Sequence, residues 1–248
     1  MSKSIVVVIP TYNERDNVRQ LCERILALPG INPDILFIDD SSPDGTGTIL
    51  DELERQYVQV FVIHRPKKSG VGSAHIDGIH WAYAGGYTHV ISMDCDFTHS
   101  PEDIPSLLFY ADDRWGYPVV VGNRHILASS LAGWSMWRKF ITHMGHLLTT
   151  TLLGTHHDAT GAFRVYHITR IPERVFDLVT RNDYAFFFES LTILNANRFR
   201  IRDVAVTLSP RSCGSSKLNT HDLINSLLFM VKLNYDLHFN KERLLIVN

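Results

Sequence analysis

Two aspartates one residue apart, in Met93-Asp94-Cys95-Asp96, are the most informative chemistry in this 248-residue chain. They close a short apolar segment, His89–Asp94, that reads as a buried strand. In an extended chain residues i and i+2 share a face, so both carboxylates are expected to point the same way. Two such charges at the end of an apolar strand repel one another, and a divalent cation resolves the repulsion. Mg²⁺ or Mn²⁺ takes hard oxygen ligands, and where the protein supplies few of them it shares the ion with substrate phosphates. Asp94 and Asp96 are therefore metal candidates, with a diphosphate as the companion ligand.

Further polar groups stand at the ends of other strand-like runs. Ile9-Pro10-Thr11-Tyr12-Asn13-Glu14 ends the first, where Pro10 has no N–H to donate and is expected to break the strand, leaving Tyr12 and Glu14 to enter a crevice. Ile38-Asp39-Asp40 ends the second, before the turn Ser42-Pro43-Asp44-Gly45-Thr46. Carboxylates so placed can accept hydrogen bonds from a nucleobase edge or a ribose, while Asp44 and Thr46 equally fit a helix cap.

The elements that position these groups alternate. Ile5–Pro10, Ile35–Asp39, Val58–His64, His89–Asp94 and Val119–Asn123 read as buried parallel strands. Residues Asn17–Leu28, Thr48–Tyr57, Ala74–Ala84 and Glu102–Tyr110 carry helical periodicity between them. Such alternation predicts an α/β doubly wound sheet whose ligands lie beyond the carboxyl ends of the strands. In the second half, Trp137, Phe140, Ile141, Met144, Leu147 and Leu148 recur at helical spacing. A helix over Phe186–Ala196, a strand over Phe199–Leu208 and an apolar helical tail over Leu223–Leu233 are expected to follow.

Composition narrows the function classes. The formal net charge of −2 provides no basic field for nucleic acid. Cys22, Cys95 and Cys213 form no Cys-x-x-Cys pair, as expected of a reducing compartment. Met1–Ile9 lacks the features of a signal peptide, and no apolar run approaches the ~20 residues that span a bilayer. The expectation is a cytoplasmic protein, peripheral on the cytoplasmic face of a membrane. Gly70-Val71-Gly72-Ser73 follows the third strand and lacks a third glycine, so a dehydrogenase fingerprint fits poorly. His143 with His146, or His156 with His157, lacks a third ligand at zinc spacing.

Taken in order, IPTYNER (9–15), IDDSSPDG (38–45), MDCDFTHSP (93–101), Gly122-Asn123-Arg124, DATGAFRVY (158–166) and the run from Arg211 to Lys217-Leu218 resemble one family. It is the inverting GT-A glycosyltransferases of family 2, in the dolichol-phosphate mannose synthase branch of polyprenyl-phosphate hexosyltransferases. The resemblance implies a Rossmann-like GT-A catalytic domain over 1–218 with a mainly parallel central sheet, followed by a membrane-facing apolar extension over 219–248. It implies that Pro10, Tyr12, Glu14, Ile38 and Asp40 hold the nucleoside, and that Asp94, Cys95 and Asp96 hold metal and diphosphate. Arg124, Arg138, Arg211 and Lys217 would hold phosphate charge. Asp158 would lie near the acceptor, orienting the nucleophile or completing the metal site; its alternative is to cap the turn before Thr160-Gly161.

The sequence departs from the family pattern in places. Cys95 replaces the usual Ala, and Phe97-Thr98 follows where Leu and then Gln or Ser are common. A Thr98 hydroxyl is shorter than the Gln that some members use as a metal ligand. The loop from His125 to Gly133 lacks the glycines common there, and the transmembrane helices that many members carry after the Lys-Leu motif are absent from this sequence.

The expected reaction is inverting transfer of mannose from GDP-mannose to a polyprenyl (dolichyl) phosphate, with Mg²⁺ or Mn²⁺, at a membrane surface and with room for a small membrane-anchoring partner subunit. A phosphate acceptor is already largely anionic near neutral pH and needs no strong base. Catalysis then consists of neutralising the leaving diphosphate and aligning the two phosphates. Three other readings use the same residues. One has a UDP-hexose donor, one a hydroxyl acceptor that requires Asp158 or Glu189 as base, and one is a degenerate nucleotide-sugar-binding subunit.

Overall fold

The computed structural model describes residues 4–209 and 220–246. The first half alternates as the pattern predicts: β1 (Ile5–Thr11), α1 (Val18–Leu26), β2 (Asp34–Asp39), α2 (Thr46–Gln56), β3 (Val60–His64), α3 (Val71–Ala84), β4 (His89–Ser92), α4 (Ile104–Ala111) and β5 (Val119–Asn123). The second half adds α5 (Met136–Leu153), β6 (Arg164–His167), the short α6 (Arg174–Asp177), α7 (Ala185–Ala196), β7 (Ile201–Ala205) and α8 (Thr220–Phe239). The seven strands form one sheet in the order β3-β2-β1-β4-β6-β5-β7.

All neighbouring pairs are parallel except those of β6, which runs antiparallel to both β4 and β5. The centre of the sheet is buried on both sides, which is why β1, β2 and β4 read as near-continuous apolar runs rather than alternating ones. Val6, Val8, Leu36 and Ile38 join the core beneath α3 and α7, while Val7, Ile9, Ile35 and Phe37 join the opposite core beneath α1 and α4. Gly78 lets α3 lie directly on β1, because a Cβ there would stand 2.4 Å from Val8 Cγ1.

Pro10 does not break β1, which continues to Thr11 in register with Asp39. Val8 O accepts from Met93 N at 3.3 Å on the β4 side, and Thr11 O accepts from Asp40 N at 2.9 Å on the β2 side. Backbone groups alternate sides, so Pro10 faces β4 two residues past the last β1–β4 pair, where no N–H is needed. β4 itself stops at Ser92, two residues earlier than expected.

The two amphipathic helices of the second half lie against each other. Asn234 Nδ2 of α8 donates to Leu152 O of α5, and Phe188 of α7 meets Phe229 of α8 with ring centroids 6.0 Å apart. One face of α8 is core: Phe229, Met230 and Leu233 are buried in the same cluster as β1 and α3. The stripe Trp137, Phe140, Met144 and Leu147 on α5 points outward instead, as do Ile224, Leu227, Leu228 and Val231 on α8. No described helix is long and apolar enough to cross a membrane.

Candidate active site

A cleft of about 350 Å³ opens at the carboxyl ends of β1, β2 and β4. The end of β1 supplies Pro10, Thr11, Tyr12 and Glu14, and the end of β2 supplies Asp40. Lys68 and Gly70 lie on the approach to α3, and Asp94, Cys95 and Asp96 follow β4. The remaining wall comes from the second half of the chain, with Asp183 and Tyr184 ahead of α7 and Asp222 on the first turn of α8.

The wall on the β2 side is built around Asp40. Its carboxylate accepts from Arg65 Nη1 at 3.0 Å, from Ser69 N at 3.0 Å and from Gly70 N at 2.9 Å. Gly70 has φ +104°, which favours glycine, and a Cβ there would stand 2.3 Å from Asn182 O. Asp40 thus folds the 65–70 loop over the cleft and brings Lys68 Nζ to 4.0 Å from the centre of the Tyr12 ring, a cation–π contact. Asp44 and Thr46 neither line the cleft nor cap α2, whose N-cap is Gly45 with no side-chain cap hydrogen bond; they brace the turn instead. Asp44 accepts from Thr46 N at 3.0 Å and from Arg15 N at 3.2 Å, tying the turn before α2 to the loop after β1. Glu14 accepts from Asn17 Nδ2 at 2.7 Å and still lines the cleft.

Asp94 and Asp96 do not share an extended strand face. They lie beyond Ser92 in irregular chain, Asp96 on a bend, yet the turn brings both to the same cleft wall. Asp96 is 6% exposed and its Oδ1 accepts from Thr98 N at 3.0 Å, whereas the Asp94 side chain is 38% exposed. Phe97 between them and Thr98 adopts φ +59° to close the turn. Asp94 N donates to His99 Nδ1 at 3.3 Å. Burial first, then the Arg124 charge, push the His99 imidazole down to about 4 against the opposing pull of Asp96 and Asp158.

This donor set suits a hard divalent cation. Two carboxylates face the cleft, and the Thr98 hydroxyl beside them is buried with no protein hydrogen-bond partner. No cluster of three or more His, Cys, Asp or Glu side chains among the described residues could hold a metal unaided. An ion at Asp94 and Asp96 would take its other ligands from a bound diphosphate.

Arg124 and Asp158 are brought together, but as a buried pair. Arg124 Nε donates to Asp158 Oδ2 at 2.6 Å, with Asp158 1% exposed. Burial alone would raise the carboxyl, but the Arg124 charge and its hydrogen bond outweigh it and hold Asp158 below the usual carboxylate range. Asp158 is therefore a weak base committed to Arg124, and it is not among the residues that line the cleft. Arg138 stands apart at the start of α5, its guanidinium 3.8 Å above the Trp134 ring and outside the cleft lining. Ile38 is also displaced from its expected role. Its side chain is fully buried against α3, within 3.0 Å of a Cβ built on Gly78, and does not reach the cleft. Glu189 is caged by Thr180 N at 3.0 Å, Thr180 Oγ1 at 2.7 Å and Arg181 N at 2.9 Å, a structural role. Arg211 and Lys217 lie outside the described residues.

Lys68, Asp183, Tyr184, Asp222 and His99 belong to the site and were not read from the sequence. Lys68 carried one local signal, the Pro66-Lys67-Lys68-Ser69-Gly70 turn after the third strand. Asp183 and Asp222 carried none, because only the packing of α7 and α8 delivers them.

Residues 6–169 match the glycosyl transferase family 2 pattern, two-thirds of the chain and the whole of the cleft's first three walls. The chain belongs to glycosyl transferase family 2. It is a GT-A glycosyltransferase. The polyprenol monophosphomannose synthase of Mycolicibacterium smegmatis is 32% identical over 217 residues, covering 86% of this chain and 80% of the relative. The undecaprenyl-phosphate mannosyltransferase of Micrococcus luteus is 31% identical over 217 residues, covering 87% of each. Among solved structures, mannosyl-3-phosphoglycerate synthase from Rubrobacter xylanophilus superposes with a TM-score of 0.68 at 16% identity, covering 99% of this chain and 76% of that one. Glucosyl-3-phosphoglycerate synthase from Mycobacterium tuberculosis, in complex with Mn²⁺, UDP-glucose and phosphoglyceric acid, gives 0.66 at 17% identity, covering 93% and 80%. At those identities the structures establish the shared fold of this glycosyltransferase.

Proposed function

We propose that this glycosyltransferase moves mannose from GDP-mannose to a polyprenyl phosphate, with inversion, at a membrane surface. The relatives that match most of its length are polyprenyl-phosphate mannose synthases by name. The observation that carries the choice of acceptor is the commitment of both candidate bases. Asp158 is neutralised by Arg124, and Glu189 is enclosed by Thr180 and Arg181. A hydroxyl acceptor would need one of them to take its proton, whereas a phosphate oxygen is already anionic.

In this reading Tyr12, with Lys68 above it, lines the nucleoside end of the cleft, and Asp94 and Asp96 would hold a Mg²⁺ or Mn²⁺ ion. The bound cation supplies charge neutralisation for the departing diphosphate. The acceptor oxygen attacks the anomeric carbon from the face opposite the diphosphate; the new C–O bond forms as the old one breaks, and GDP leaves. The outward apolar stripes of α5 and α8 offer a surface on which a lipid-bearing phosphate would be met, with Arg138 at the head of α5.

A panel of nucleoside diphosphates tests the donor end. GDP with Mn²⁺ is expected to raise the melting temperature more than UDP or ADP with Mn²⁺, because tighter ligands stabilise more by mass action. A larger shift with UDP would replace the GDP-mannose reading with a UDP-hexose one.

A further inference from the structure

The turn that carries Asp94 and Asp96 is held at both ends by residues of its own short segment. It begins just past the last β1–β4 pair, where Val8 O takes Met93 N at 3.3 Å. Thr98 N secures the Asp96 carboxylate at 3.0 Å, and Phe97 makes the reversal at φ +59°. The amide that opens the turn, Asp94 N, is met by the imidazole of His99.

We propose that His99 is a positioning residue for metal binding: its unprotonated Nδ1 accepts the Asp94 amide and so fixes the direction in which the Asp94 and Asp96 carboxylates present themselves. Two distances decide which group Nδ1 serves. It lies 3.3 Å from Asp94 N and 3.7 Å from Asp94 Oδ2, and only the first is within hydrogen-bond range. An acceptor Nδ1 carries no proton, so the ring is the neutral tautomer with hydrogen on Nε2. The ring cannot swing away: it is 3% exposed and stacks on Phe163 with centroids 5.1 Å apart and planes 23° apart. Phe163 lies in the segment between Asp158 and β6, so His99 also fixes the turn against the opposite wall of the site. Groups just outside a metal's ligands orient them, and their loss costs about ten- to a hundredfold in metal affinity.

The inference rests on the metal-dependent reading of the site, and two isosteric variants separate the two. An Asn amide reaches the position of Nδ1, while a Gln amide reaches that of Nε2. Mn²⁺ affinity is measured on the full chain with saturating GDP, by the electron paramagnetic resonance signal of free Mn²⁺, alongside melting temperature without metal. His99→Gln is expected to weaken Mn²⁺ about tenfold or more, His99→Asn by less than about threefold, with similar metal-free melting temperatures. If His99→Gln binds Mn²⁺ as tightly as the parent, or His99→Asn loses as much as His99→Gln, His99 does not position the turn. A parent that fails to bind Mn²⁺ overturns the reading of the site and this inference with it. Should the variants not fold, the tautomer of the unaltered protein decides: nitrogen-15 correlation spectra at neutral pH are expected to show His99 protonated on Nε2 alone, and a proton on Nδ1 refutes the role.

Discussion

Asp158 receives Arg124 Nε at 2.6 Å in a pocket that leaves the carboxylate 1% exposed, so the two residues neutralise each other beside the cleft. Removing one partner strands a buried charge, which costs about 3–5 kcal/mol, whereas replacing both with apolar groups is often close to neutral. Asp158→Asn is expected to lower unfolding stability in urea by about 3 kcal/mol. The double replacement Asp158→Leu with Arg124→Met should recover most of that loss, though not activity. A single-variant loss below about 1 kcal/mol would show the pair to be no more than a surface contact. The carboxyl titrates below its ordinary value in the folded chain, so its contribution is present above about pH 4 and fades as pH falls through the folded value.

Histidines provide a second pH dependence, of opposite charge logic. Neither ring nitrogen of His75 has a hydrogen-bond partner, and burial, followed by the charges of Arg164 and His99, pushes it down to about 3. The folded chain keeps this ring neutral while the unfolded chain protonates near pH 6.5. Stability is then complete above about pH 6.5 and declines on acidification, by up to about 1.4 kcal/mol per pH unit for each such histidine. His75→Phe, which can retain the stacking on Phe186 at 5.5 Å, should flatten the decline between pH 7 and 5 in urea unfolding. An unchanged slope would place the titrating groups elsewhere.

The proposed attachment to a membrane surface turns on the outward stripe of α5. Trp137 is 70% exposed and Phe140 54% exposed, and their rings stack 5.7 Å apart. Burying one such side chain in an apolar phase is worth roughly 1.5–3 kcal/mol. Trp137→Ser combined with Phe140→Ser should lower binding to phosphatidylglycerol-containing vesicles by at least about tenfold, at an unchanged melting temperature. Sedimentation with vesicles equal to the parent's would move the attachment site off α5.

Much of the fold was legible because β1 to β5 are short apolar runs separated by helical periods, and burial on both faces makes such runs unmistakable. β6 was not, since Arg164, Tyr166 and His167 look nothing like a core strand. The structure accommodates them by giving Arg164 internal partners, Ser190 Oγ at 3.1 Å and Ala159 O at 3.0 Å. Within the site, Tyr12, Glu14, Asp40, Asp94 and Asp96 were legible because a doubly wound sheet exposes its strand ends together. Ile38 was misplaced because it still lies within β2, where its side chain packs beneath α3, whereas Asp40 lies just past the strand end at Asp39 and opens onto the cleft. Arg124 and Asp158 stand 34 residues apart, and no local pattern announces a pair at that separation. The α5 stripe had helical spacing in the sequence, but spacing alone does not tell an inward face from an outward one.

In the proposed reaction a phosphate attacks a metal-bound nucleotide sugar. It is tested most directly by offering labelled GDP-mannose with Mn²⁺ to a short polyprenyl phosphate and, in parallel, to the corresponding polyprenol. Labelled lipid is expected from the phosphate alone, lost in excess chelator, restored by added Mn²⁺, and reduced at least about a hundredfold by Asp96→Asn as one metal ligand's stabilisation of the leaving group disappears. Equal or preferential transfer to the polyprenol, or undiminished transfer in excess chelator, would contradict it.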